Sequence, residues 1–190
     1  MRIAISGTIG SGKTTVCNYL RSKGLKVFDC DEANRNLLKK GNKGYNALIN
    51  EFNGILDANN DIDKSMLAAK VFNDDVALKR LDAIMHPLIL EEMLKAMDEE
   101  CYIAEVPLLF ETEFKNYFDY KLLIAIDDEL AIKRLSKRGF SELEARSRLN
   151  KQMNVQEKIR LADEVIYNDG SEADLYRKID EWLERIKDVR

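Results

Sequence analysis

One stretch near the amino terminus constrains this chain more than any other. Gly7-Thr8-Ile9-Gly10-Ser11-Gly12-Lys13-Thr14 follows an apolar run and fits the pattern GxxxxGK followed by Ser or Thr. Glycines at these places let the backbone curl so that several N–H groups point into one concavity. Lys13 then reaches the outer phosphates of a nucleotide triphosphate, and the Thr14 hydroxyl can hold Mg²⁺. Gly10, Ser11, Gly12, Lys13, Thr14 and Thr15 are therefore the candidate nucleotide-binding residues. The flanks agree with this reading. Arg2–Ser6 reads as a short buried strand, and Thr15–Ser22 as a helix stopped by Gly24. Strand, loop and helix in that order are the context the motif needs.

At 190 residues the chain fits one α/β domain with room for small insertions. It is 45% hydrophobic and 34% charged, and no stretch approaches the roughly 18 apolar residues of a membrane span. The apolar run before the loop is too short for a secretory signal, so the expectation is a soluble, cytoplasmic protein. Cys17, Cys30 and Cys101 are widely spaced with no CxxC pair, and read as reduced thiols. With His86 as the only histidine, a metal should be oxygen-bound, and Mg²⁺ is the natural candidate.

Charge is unevenly spread. From Lys133 to Arg160 nine basic residues face three acidic ones, a net +6, which leaves −10 elsewhere to make the total of −4. An acidic chain with one basic segment argues for capture of a compact anion and against general nucleic-acid binding.

Further strands are expected at Lys26–Phe28, Cys101–Val106, Leu122–Ile126 and Val165–Tyr167, the last stopped by the turn Asn168-Asp169-Gly170. Strands alternating with helices imply a five-stranded parallel sheet with helices on both faces and a ligand beyond the strands' carboxyl ends. Residues 32–100 read as a helical substrate-binding insertion, turning at Asn59-Asn60-Asp61 and interrupted at His86-Pro87, where a new helix should begin. After the fourth strand, Asp128 should cap a helix over Glu129–Arg138, ended by Gly139. Ser141 with Glu144, and Asn154 with Glu157, mark further helix starts. Short helices around a glycine hinge, over about 134–155, resemble a lid.

Several residues could carry chemistry. Asp31 can accept a hydroxyl proton or simply cap the helix that begins at Glu32; the two readings are compatible. Glu105, at the end of the third strand, stands where a Walker B type carboxylate organises Mg²⁺. Glu111 is either a cap or a substrate group. Arg134 with Arg138, and Arg148 with Gln152, are spaced by four and can converge on one ligand. Arginines on a mobile lid favour phosphoryl transfer over a simple switch. The NKxD and DxxG elements of a GTPase switch are absent from the sequence.

Five segments also carry a resemblance. Ile9-Gly10-Ser11-Gly12-Lys13, Asp29-Cys30-Asp31, Met85-His86-Pro87-Leu88-Ile89, Val106-Pro107-Leu108-Leu109-Phe110-Glu111 and Ala162-Asp163-Glu164-Val165-Ile166 occur in the order seen in dephospho-CoA kinases, which the chain resembles from end to end. The resemblance implies a three-layer P-loop kinase sandwich with a CoA-binding helical insertion and a lid. It implies ATP and dephospho-CoA as substrates, with Mg²⁺, and a monomer that binds neither nucleic acid nor membrane. By position, Asp31 becomes the general base and Lys13, Arg138 and Arg148 the groups serving the transferred phosphoryl. Asp31, His86, Pro107, Leu108 and Glu111 become substrate-binding, and Thr14 and Glu105 the metal residues. The rival readings are a kinase for another metabolite, a nucleoside monophosphate or shikimate, and a noncatalytic nucleotide switch.

Overall fold

Ile3–Gly7 forms β1, and all five of its residues are buried. A strand that is apolar without alternation is covered on both faces, which is the environment of a central strand in a parallel sheet. In this computed structural model, which describes residues 1–72, 74–99 and 102–187, β1 is indeed central. With β2 (Val27–Asp29), β3 (Ile103–Glu105), β4 (Tyr120–Ala125) and β5 (Glu164–Tyr167), it builds a five-stranded sheet ordered β2-β3-β1-β4-β5. The pairings of β1 with β3, β1 with β4, and β4 with β5 are parallel. From β1 the chain leaves toward β2, and from β4 toward β5 on the other side. The switch of direction therefore falls between β1 and β4, where sheets of this kind take their ligands.

Helix α1 (Lys13–Ser22) follows β1 and buries Val16, Cys17 and Leu20. Its end is fixed by Gly24 at φ 82°, with the Gly24 N–H donating to Arg21 O and the Leu25 N–H to Leu20 O. That bond pair is the Schellman stop expected from the glycine. Against the sheet and α1 lies α9 (Glu172–Lys187), whose Ile179 and Trp182 are fully buried in the same cluster as Ile3, Ile5 and Leu122. Trp182 is thus a core residue.

The chain divides into two units, one of residues 1–28 and 97–190, the other Asp29–Ala96. The second unit is helical: α2 (Cys30–Leu37), α3 (Lys43–Glu51), α4 (Lys64–Val71) and most of α5 (Asp75–Glu99). Leu48, Phe52, Ile55 and Leu67 are buried within it. The expected polar turn is present: Asp57 accepts the Asn59 and Asp61 N–H groups on Oδ1, and Asn60 takes a positive φ of 60°.

His86-Pro87 does not interrupt the helix. α5 runs through Pro87 without a break. A proline inside a helix costs about 3 kcal/mol, through the bond it cannot give and its clash with the preceding turn. Met85, Ile89 and Met93, four apart on one stripe of α5, are all buried. At about 1.5–3 kcal/mol per buried side chain, that stripe outweighs the local penalty. The third strand is also shorter than expected, and Cys101 lies outside the described residues.

Beyond β4, α6 spans Asp128–Ser136, α7 Glu142–Asn150 and α8 Val155–Leu161. The α6 cap is Asp127, whose Oδ1 accepts from the Glu129 and Leu130 N–H groups; Asp128 is already helical. With two adjacent aspartates, the first takes the cap and moves the helix one residue earlier. Ser141 and Glu144 form the expected capping box, and the Asn154 side chain accepts from the Gln156 N–H. Gly139, at φ 93°, turns the chain between α6 and α7.

Candidate active site

The loop after β1 enters α1 through Gly12, at φ 89° and with no side chain capping the helix. No acidic residue stands in the first turn. The first N–H groups of α1 thus keep their full affinity for an anion, which is how a helix N-terminus binds phosphate. Gly10, at φ 82°, packs against α6: a Cβ there would lie 3.2 Å from Ala131 O.

Both residues that follow Gly12 meet Glu105. Lys13 Nζ lies 3.1 Å from Glu105 Oε1, and the Thr14 hydroxyl donates to the same oxygen at 3.0 Å. Glu105 is 3% exposed, which makes it a buried carboxylate held by one ammonium and one hydroxyl. Its Oε2 has no hydrogen-bond partner among the described residues, and the Arg21 guanidinium stands 3.9 Å away. Burial pushes the nearby Cys17 thiol well up, and the Glu105 carboxylate adds to the effect, so this cysteine stays protonated beside the site. Among the described residues, no group of three or more His, Cys, Asp or Glu side chains could hold a metal. A divalent cation could instead rest on Thr14 and Glu105 and fill its shell with phosphate and water oxygens, the pattern that suits Mg²⁺. A buried carboxylate that already meets the Thr14 hydroxyl on Oε1 has the chemistry for that role.

Across the loop, two residues bond its backbone from elsewhere in the chain. Asn168 donates from Nδ2 to Ser11 O at 2.7 Å, and the Ile9 N–H donates to Gln152 Oε1 at 3.0 Å. Arg134 donates to Asn168 O at 2.9 Å. The sequence marks Asn168 only as part of a turn; its reach to the loop depends on three segments far apart in the chain. Lys158 counts in the sequence as one charge of a basic segment, yet it is fully buried, 2.7 Å from Glu111 Oε1. Glu111 also accepts the Met153 N–H at 3.1 Å, just before α8, so it caps no helix of its own and instead fixes the start of α8.

The other expected residues belong to separate elements. Asp31 lies exposed in the first turn of α2, where Asp29, not Asp31, is the cap, accepting the Glu32 N–H at 2.9 Å. The capping alternative for Asp31 therefore fails, because the helix begins at Cys30 rather than Glu32. His86 sits on α5 with Nε2 3.6 Å from Asp82. Pro107 accepts a long 3.4 Å bond from the Ser6 hydroxyl on its carbonyl, and Leu108 is exposed. Arg138 is exposed beyond the end of α6, so it does not share a helix face with Arg134 as the spacing suggested. Likewise Gln152 lies past the end of α7, while Arg148 stays on α7 with its guanidinium 4.7 Å over the Phe140 ring.

Comparison with known proteins gives this geometry a family. The dephospho-CoA kinase family model matches residues 1–174. A dephospho-CoA kinase of Geobacillus kaustophilus is 36% identical over 187 residues, covering 94% of this chain and 93% of the relative. Among solved structures, a Thermus thermophilus protein superposes with a TM-score of 0.82 at 32% identity, over 97% of both chains. A Campylobacter jejuni dephospho-CoA kinase follows at 0.73 and 27%, over 97% of this chain and 96% of that one. With a buried carboxylate gripping the lysine and threonine of a phosphate loop, and matches that run nearly end to end, the chain belongs to the dephospho-CoA kinase family.

Proposed function

We propose that the protein transfers the γ-phosphoryl group of ATP to the ribose 3′-hydroxyl of dephospho-CoA, giving coenzyme A and ADP in the last step of CoA synthesis. The observation that carries this reading is the family match over almost the whole chain, on a fold that keeps the loop lysine, threonine and strand-end carboxylate together. The loop N–H groups and Lys13 bind and orient the triphosphate. Thr14 and Glu105 would hold Mg²⁺, which when bound would supply charge neutralisation for the phosphates. Asp31 accepts the proton of the acceptor hydroxyl, while His86, Pro107, Leu108 and Glu111 serve the acceptor side. Lid residues 134–155, with Arg138 and Arg148, neutralise the transferring group and exclude water that would hydrolyse ATP. The transition state for such transfer is loose, so positioning and charge stabilisation outweigh the contribution of the base. The cytoplasm is the location we favour; no described helix is long and apolar enough to cross a membrane.

A substrate panel with ATP and Mg²⁺ tests the assignment. ADP release should depend on dephospho-CoA and yield a 3′-phosphorylated product, with AMP and shikimate inert. Phosphorylation of AMP or shikimate but not dephospho-CoA would overturn it. Nucleotide binding with no acceptor-dependent turnover would point instead to a noncatalytic switch.

A further inference from the structure

Asn168 follows the last residue of β5 in a stretch that reads as an ordinary turn, yet it is 5% exposed. Its backbone N–H donates to Ala125 O at 2.8 Å, which fixes it to the end of β4. The side chain then reaches the phosphate loop, donating from Nδ2 to Ser11 O at 2.7 Å. From α6, Arg134 Nη2 donates to Asn168 O at 2.9 Å and approaches its Oδ1 at 3.5 Å. With a guanidinium at the oxygen and a carbonyl at the nitrogen, the partners themselves define which way the amide faces. Space is equally constrained. A Cβ on Gly12 would fall 2.4 Å from Asn168 Nδ2 and 3.8 Å from Arg134 Nη1, so loop, amide and guanidinium are stacked in direct succession.

A trans peptide holds its C=O and the following N–H on opposite sides of the chain. Drawing the Ser11 carbonyl toward Asn168 therefore turns the Gly12 N–H the other way, and Gly12 itself has a φ of 89°, which glycine adopts without strain. We infer that Asn168 is a positioning residue for the donor triphosphate. By gripping the Ser11–Gly12 peptide, with Arg134 clamping its amide, it aims the Gly12 N–H into the phosphate cradle. The inference rests on the reading of this loop as the triphosphate site, and it extends that site to the end of β5. A residue present only for packing would need no donor at this atom.

Asn168→Asp tests it, keeping the shape while replacing the donor with a carboxylate that repels the Ser11 carbonyl. Calorimetric titration of the variant should show ATP binding weakened about 10- to 100-fold. Inorganic tripolyphosphate, which has no base or sugar, should weaken by the same factor, while KM for dephospho-CoA stays within about twofold of wild type. Arg134→Lys keeps the charge but loses the planar fork, and should weaken both ligands in the same direction by a smaller factor. Combined with Asn168→Asp it should add little, because the two act through one peptide. Should Asn168→Asp fail to fold by circular dichroism, Arg134→Lys decides by the same criteria. Unchanged tripolyphosphate affinity in a folded variant overturns the inference, as does a loss seen for ATP alone, which would set Asn168 against the base or sugar. Wild-type protein that binds neither ligand would instead sink the triphosphate reading itself.

Discussion

The Lys158 ammonium lies 2.7 Å from Glu111 Oε1, and the lysine is completely shielded from solvent. Glu111 extends the tie by accepting the Met153 N–H, so the start of α8 is pinned to the segment after β3. Removing one member of such a pair leaves the other as an uncompensated buried charge, at a cost of about 3–5 kcal/mol. Lys158→Ala and Glu111→Gln should each lower the melting temperature, by about 6–20 °C for a chain of this size. Lys158→Met combined with Glu111→Leu should recover most of that loss, because apolar replacement removes both charges at once. Single variants that melt at the wild-type temperature would show that the pair does not hold α8.

Glu105 tests the opposite balance: if this buried carboxylate serves Mg²⁺, its charge matters to turnover more than to stability. Its Oε1 is shared by Lys13 and Thr14, so Glu105→Gln keeps an acceptor for the hydroxyl but removes the charge. The Mg²⁺ concentration giving half-maximal rate should rise about tenfold or more, and kcat should fall by on the order of 10². Lys13→Ala should nearly abolish turnover. Metal titrations of initial rate measure both, and an unshifted Mg²⁺ dependence in Glu105→Gln would remove Glu105 from the metal role.

Asp31 stands in the first turn of α2, with the cap supplied by Asp29. If it takes the proton of the acceptor hydroxyl, Asp31→Asn should lower kcat by on the order of 10² or more, with a smaller effect on ATP binding. Single-turnover rates with saturating ATP separate the two, and near-normal turnover would exclude the base assignment.

What the sequence made legible is local. The phosphate loop, the glycine stop after α1 and the capping box at Ser141 each depend on residues within a few positions of one another. Offsets of one or two residues arise where two equivalent groups compete, as at Asp127 and Asp128, or Asp29 and Asp31. The order of the strands, the burial of Lys158 and the reach of Asn168 to Ser11 depend on contacts between distant segments, which periodicity and turn chemistry do not encode. The shared face expected of Arg134 and Arg138 fails for a more local reason: four-residue spacing places two side chains on one face only while the helix lasts, and α6 ends at Ser136.

Tyr120, at the start of β4, donates its hydroxyl to Glu164 on β5 and has its pKa pushed up to about 12, first by burial and then by that carboxylate. An unfolded tyrosine ionises near 10. Between about pH 10 and 12 the unfolded chain releases a proton that the folded chain keeps, so stability falls with rising pH across that window, and below pH 10 the contribution is intact. Urea midpoints at pH 9 and 11 should therefore drop more steeply for wild type than for Tyr120→Phe. Absorbance titration should show one fewer late-ionising phenol in the variant.

Pro87 offers a test of how tertiary packing overrides a local preference. It is exposed in the middle of α5, and without an N–H it leaves the carbonyl one turn earlier, that of Ala83, without its helical donor. The helix persists because Met85, Ile89 and Met93 are buried along one stripe. Pro87→Ala should then restore the missing bond and relieve the clash without disturbing that stripe, stabilising the protein by about 1–3 kcal/mol. The gain is bounded from above, since proline also restricts the unfolded chain and that advantage is given up on substitution. Were the helix instead broken at His86, with Pro87 in a first turn where it is favoured, the same substitution would be neutral or destabilising. Chemical denaturation of the two proteins distinguishes these cases by the sign of the shift alone.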